Sequence, residues 1–195
     1  MDGFREAVAA WAAGGADERA RALAAGVGTV VLLEGPSDLA AVDALAARDG
    51  RDLAAEGVCV LSMGGAMSVG RFVRVLGPEG LGLRLTGLCD EAERPYYARE
   101  LGSEAFHVCV ADLEDELIRA LGVRRVEQLV EEQGDLRSLQ IFKGQPAQQG
   151  RAPERQLRRF FGTKKGRKIQ YGRVLTAALP PDRTPEPLRA LFAGL

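Results

Sequence analysis

One pattern constrains this chain more than any other. A short apolar run, a tight turn and a helix-length stretch follow one another four times between residues 29 and 121. The runs are Thr29–Leu33, Val58–Leu61, Leu83–Leu88 and Phe106–Val110. The first, TVVLL, is β-branched and continuous rather than alternating, the mark of a strand buried on both faces. Each run stops at a turn cluster: Glu34-Gly35-Pro36-Ser37-Asp38, Ser62-Met63-Gly64-Gly65, Cys89-Asp90, and Ala111-Asp112. Behind the first turn, Pro36 and Asp38 are favourable chemistry for starting a helix. Helices are expected behind the others over 66–76, over 91–101 and from Asp112 onward. Strands separated by helix-length segments form a parallel sheet with helices on its faces. The expected fold is therefore α/β, in three layers, with a mainly parallel sheet of about four strands. Three regions follow: an N-terminal helical segment (1–27), the α/β core (28–134) and a helical C-terminal extension (135–195). Short helices are expected in the extension over 136–143, 152–161 and 167–179.

Composition narrows the class. At 195 residues, 46% hydrophobic and 27% charged, the chain is long enough to bury a substantial core. No stretch approaches 18 uncharged apolar residues, so no membrane span is expected, and the N-terminus lacks the apolar run of a secretory signal. Cys59, Cys89 and Cys109 lie thirty and twenty residues apart, each in an apolar run. They read as buried reduced thiols of a cytoplasmic protein, not as a disulfide framework or a zinc site. His107 is the only histidine, which removes the usual base for serine chemistry at Ser37 or Ser62. The net charge of −1 conceals an asymmetry: residues 1–134 hold 23 acids and 13 bases, residues 135–195 hold 4 acids and 13 bases. An acidic part joined to a basic part points to a polyanionic partner or to pairing between the parts.

In open α/β sheets ligands bind beyond the carboxyl ends of the strands. Three of the four strands end in acids: Glu34 with Asp38 a turn later, Asp90 with Glu91 and Glu93, and Asp112 with Glu114, Asp115 and Glu116. Like charges gathered on one edge repel unless a cation neutralises them, and hard divalent ions suit an all-oxygen donor set. Any one acid at a helix start also serves the helix dipole, worth roughly 0.3–1 kcal/mol. Glu34 resists that explanation because it closes an apolar strand before a glycine.

The Glu34-Gly35-x-Ser37-Asp38 element behind a buried strand, Gly64-Gly65 after the second strand and the acids at Asp90 resemble the Toprim fold. They resemble most the version found in the overcoming lysogenization defect (OLD) family of nucleases. The resemblance covers roughly residues 28–120, with the segment to about 180 similar in kind. It implies a Toprim catalytic site for divalent-metal-dependent phosphodiester hydrolysis of DNA, nicking or endonucleolytic, with two Mg²⁺ or Mn²⁺ ions. The implied metal ligands are Glu34, Asp38, Asp90, Glu93, Asp112 and Glu114, and the implied catalytic residues are Glu34, Asp90 and Lys168. Lys168 stands where OLD-type domains supply a lysine, with Lys164 and Lys165 as alternatives. Toprim domains carry Asp-x-Asp at the third strand; here Ala92 breaks it, and Glu91 or Glu93 would substitute, Glu93 by standing a helical turn from Asp90. OLD proteins carry an ATPase domain before the Toprim domain, but no G-x-x-x-x-G-K-[ST] occurs here, so ATP gating would require a separate ATPase chain. A homodimer is compatible with such a module.

Residues 151–173 hold nine Lys/Arg against one Glu, interleaved with Phe160, Phe161 and Tyr171. Arg159, Lys164, Lys165, Arg167 and Lys168 are candidates for contact with nucleic-acid phosphates, and the aromatics for stacking on bases. In the opposing reading the aromatics are core and the bases pair with the acidic part. Two further alternatives stay open. One is a non-catalytic metal- or nucleic-acid-binding module acting with a partner protein. The other is a nucleotide-binding domain using Gly64-Gly65 and the helix start behind it.

Overall fold

The computed structural model describes residues 1–195. Its elements in chain order are α1 (Asp2–Ala12), α2 (Glu18–Leu23), β1 (Thr29–Leu33), α3 (Pro36–Arg48), β2 (Val58–Ser62), α4 (Val69–Leu76), β3 (Arg84–Asp90) and α5 (Arg94–Leu101). They continue with β4 (Phe106–Cys109), α6 (Leu113–Leu121), α7 (Val123–Glu132), α8 (Leu136–Lys143), α9 (Pro153–Phe161), α10 (Arg167–Ala177) and α11 (Glu186–Ala193). The four strands form one sheet in the order β2-β1-β3-β4, every neighbour parallel. The expected α/β class and helical C-terminal region are thus what the chain folds into. β3 runs two residues further than its apolar pattern suggests, because Asp90 still pairs with Cys109 of β4. The stretch behind it opens with a 3₁₀ turn over Glu91–Glu93 before α5 begins.

β1 lies at the centre of the molecule. Val30 and Leu32 point into one apolar cluster, Val31 and Leu33 into the other, and all four are fully buried. The first cluster gathers Phe4 and Val8 of α1, Val69 and Phe72 of α4, and Tyr97 of α5. The second gathers α3, α6 and the whole C-terminal helical region, through Leu157, Phe160, Phe161, Tyr171, Leu175, Leu188 and Leu191. Two helical layers therefore enclose the sheet, and the apolar core runs across residue 134 without a break. Gly87 in mid-strand lets α5 approach: a Cβ there would stand 2.8 Å from the Tyr97 ring and 2.9 Å from the Leu32 carbonyl. The Tyr97 hydroxyl donates to that carbonyl at 3.3 Å.

Two expectations for the basic segment are corrected here. Phe160, Phe161 and Tyr171 are core residues, Phe161 and Tyr171 stacked at 4.5 Å between centroids, so none is free to stack on a base. The alternation of aromatic and basic residues arises because a short amphipathic helix buries its aromatic face and leaves its cations outside. Arg167 is also buried, over the Phe160 ring at 4.0 Å and ion-paired with Asp135 at 3.3 Å. It is a structural cation, withdrawn from any phosphate.

Candidate metal centre

The order 2-1-3-4 locates a crevice without reference to any family. The connection leaving β1 leads to β2 on one side, and the connection leaving β2 returns past β1 to β3 on the other. The strand order reverses between β1 and β3, and such switch points open the crevice where α/β sheets bind ligands. Glu34 follows the last residue of β1, and Asp90 is the last residue of β3. The two acids marked by their strand ends thus flank the switch point.

The backbone around Glu34 is held from β2. The Met63 N–H donates to the Leu33 carbonyl at 2.9 Å and the Gly65 N–H to the Glu34 carbonyl at 3.0 Å. This route requires left-handed backbone at Gly64 (φ 72°) and at Gly65 (φ 127°), which side-chain-bearing residues rarely adopt. Gly64-Gly65 therefore clamps the end of β1. On the other side, Asp38 occupies the third position of α3 and accepts the Gly35 N–H at 2.9 Å, capping the helix with one oxygen. Asp112 caps α6 by accepting the Asp115 N–H at 2.8 Å.

Six of the acids marked in the sequence share one electrostatic neighbourhood. Burial raises the Asp38 carboxyl to about 6, against the pull of the Gly35 N–H, and Glu114 and Glu34 push it the same way. Burial likewise raises Asp90 to about 7, reinforced by Asp38, Asp112, Glu34 and Glu114. Glu34 is raised by burial, then by Glu93. Glu34, Asp90 and Glu93 have no hydrogen-bond or ion-pair partner for their carboxylates. The remaining two are answered: Glu114, almost fully buried, pairs with Lys168 at 3.2 Å, and Asp112 pairs with Arg158 at 2.5 Å. Burial opposes the charge on Lys168, but Glu114, Asp112 and Asp38 outweigh it and hold the ammonium above its ordinary value.

Lys168 reaches this edge because α10 lies directly against α3. The contact depends on Gly172, where a Cβ would stand 2.7 Å from the Ser37 carbonyl oxygen. Sequence reasoning misses this close approach; a glycine four residues after a lysine in a basic helix is its only signal. Lys164 and Lys165 are exposed in the turn before α10, and Arg159 is exposed on α9. A cleft of about 410 Å³ lies beside the acids, lined by Asp112, Arg151, Arg155, Arg158, Arg159 and Lys168. Of its arginines only Arg159 is a candidate on sequence grounds. Arg151 and Arg155 carry a weak signal in standing eight and four residues before Arg159; Arg158 carries none.

Other marked residues stand elsewhere. Glu91 pairs with Arg94 at the surface, Asp115 pairs with Arg119, and Glu116 accepts the Val110 N–H at 2.9 Å. The three cysteines are buried and free. No helix is long and apolar enough to cross a membrane.

As the side chains stand, no three Asp, Glu, His or Cys groups converge to grip one ion. The donor chemistry nevertheless fits a hard divalent cation: all oxygen, mutually repelling, partly desolvated, and with three carboxylates lacking a partner.

The all-parallel sheet has a glutamate just past its first strand and an aspartate closing its third, the arrangement that the resemblance to Toprim domains leads one to expect. Comparison with known proteins points the same way. A family model described as "Overcoming lysogenization defect protein-like, TOPRIM domain" matches residues 28–91, about a third of the chain. The fold is similar to the C-terminal region of the Burkholderia pseudomallei OLD protein, at a TM-score of 0.64 and 18% identity, covering 86% of this chain and 96% of that one. It is similar as well to the C-terminal region of the Xanthomonas campestris pv. campestris OLD protein, at a TM-score of 0.64 and 22% identity, covering 86% and 91%. No curated protein matches the chain.

Proposed function

We propose that this chain is a divalent-metal-dependent DNA nuclease that hydrolyses phosphodiesters at the edge between β1 and β3. One observation carries the reading. Glu34 and Asp90 flank the switch point, unpaired and raised by burial and by the acids around them. Perturbed, unpartnered acids in a crevice are a site signature, because stability alone would have neutralised or removed them. Glu34, Asp90 and Glu93 would hold Mg²⁺ or Mn²⁺, with Asp38 contributing its oxygen not committed to the helix cap. Asp112 and Glu114 would join by exchanging their present cations. Glu93 supports the role of the missing second Asp, since its charge acts on Glu34 whereas Glu91 is occupied by Arg94.

Bound divalent ions at such a set supply Lewis acidity to the phosphoryl oxygens and an activated water. The protein's own groups bind and orient the substrate. Lys168 holds a full positive charge beside the acids, where it stabilises negative charge growing on the phosphorus centre. Lys164, Lys165 and Arg159 attract the flanking phosphates from exposed positions.

The test is plasmid nicking with Mg²⁺ or Mn²⁺. Nicking is expected in wild type and should fall at least a hundredfold in Glu34→Ala and Asp90→Ala. Undiminished nicking in either variant would refute the assignment. A second reading, a metal- or nucleic-acid-binding module without catalysis, is favoured by Ala92 at the Asp-x-Asp position and by the ion pairs already on Asp112 and Glu114. Calorimetry read beside the nicking assay separates the two: no Mn²⁺ binding at millimolar concentration, or binding without nicking, favours the module over the enzyme.

A further inference from the structure

The cleft next to the acids has a composition that solvent exposure alone does not explain. Four arginines and a lysine surround one aspartate, and no apolar side chain lines it. Arg155 and Arg159 make no ion pair or hydrogen bond, and Arg151 donates only to the Ala147 carbonyl. Arg158 is engaged by Asp112. Three guanidinium groups thus line one cleft, Arg155 and Arg159 from α9 and Arg151 from the segment before it, with their repulsion unrelieved, an arrangement that a polyanion stabilises. Arginine matches phosphate oxygens in a bidentate fork and remains charged at any working pH.

We propose that Arg151, Arg155 and Arg159 form a backbone-phosphate subsite for duplex DNA, reached from the metal centre through Asp112 and Lys168. The proposal rests on the nuclease reading for its orientation but not for its binding chemistry. Contacts to phosphate position a nucleic acid without reading its sequence, and this cleft offers nothing that reads a base edge. It offers nothing that holds a single strand either. Proteins that track single strands stack the bases on aromatic side chains. The three aromatics of this segment, Phe160, Phe161 and Tyr171, are in the core beneath the arginines. A duplex, with its bases already stacked and its phosphates outside, is the partner that fits. The two residues shared with the acid edge make the cleft continuous with it, so strand flanking the scissile bond would pass over α9.

Fluorescence anisotropy tests this in EDTA, with a labelled duplex of mixed sequence and with one of its strands alone, across a range of KCl concentrations. The duplex should bind more tightly than the single strand, and two unrelated duplex sequences should bind alike. In the triple variant Arg151→Gln/Arg155→Gln/Arg159→Gln, the slope of log K against log salt should shrink by about 2.7, at about 0.9 for each phosphate no longer neutralised. The corresponding triple lysine variant should recover most of that slope. All three side chains are exposed, and a near-ultraviolet circular dichroism spectrum matching wild type checks that the fold persists. An unchanged slope in the glutamine variant, a low slope in the lysine variant, or tighter binding of the single strand would each overturn the proposal. Because the measurement excludes metal, a wild type that binds with these slopes but fails to nick plasmid refutes hydrolysis and leaves the subsite standing.

Discussion

Asp90 carries the sharpest electrostatic conflict in the molecule, and its consequence for stability has a definite sign. A free aspartate titrates near ~3.9, whereas burial and the neighbouring acids raise Asp90 to about 7 in the fold. Between those values the folded chain keeps a proton that the unfolded chain has released. Stability from this group is therefore complete at the acidic end of the window and is lost as pH rises through 7. The metal-free protein should melt at falling temperature from pH 5 to pH 8, by on the order of 1–2 kcal/mol after solvent screening. Asp90→Asn should flatten that decline, and Mn²⁺ at pH 8 should reverse it in wild type but not in the variant. Thermal melts in EDTA and in Mn²⁺ check both statements; a melting temperature that rises toward pH 8 without metal would contradict the first. The positions of these acids are legible in the sequence because a strand end is a local signal. The ion pairs are not, since Lys168 and Glu114 lie 54 residues apart and nothing local distinguishes a paired acid from an unpaired one.

At the scale of elements, the seating of α10 on α3 decides whether Lys168 reaches the edge. Gly172→Ala would place a methyl 2.7 Å from the Ser37 carbonyl, against backbone that cannot swing away. The expected cost is about 1–3 kcal/mol, as for other overpacked sites. Nicking should fall further than stability, since the shift displaces Lys168 and the Ser37–Asp38 backbone together. Denaturation midpoints read beside initial nicking rates test this, and equal losses in both would argue against a positional effect. The strands and most helices are legible from apolar runs and turn chemistry. The depth of α9 is not: PERQLRRFF shows the same periodicity whether its aromatic face meets a core or a ligand. α7 and α11 are absent from the helices expected on sequence, although Val126, Leu129, Leu188 and Leu191 are all core residues.

On the scale of the whole molecule, the C-terminal helices are part of the core rather than an appendage. Phe160, Phe161, Tyr171 and Leu175 cover the same cluster to which β1 contributes Val31 and Leu33. A chain ending at residue 134 would uncover the buried faces of α3 and α6. It should expose hydrophobic dye-binding surface and lose its near-ultraviolet circular dichroism; a cooperative melt comparable to full length would contradict this. The approach of Gly172 to Ser37 also sets an order of events during synthesis. The ribosome releases the strands and their acids first, and the lysine that faces those acids emerges 134 positions after Glu34. A nascent chain therefore displays an uncompensated acidic edge until α10 has been made and folded back. Completion of the site waits on the synthesis of α10, and a message truncated before residue 168 yields acids without their lysine.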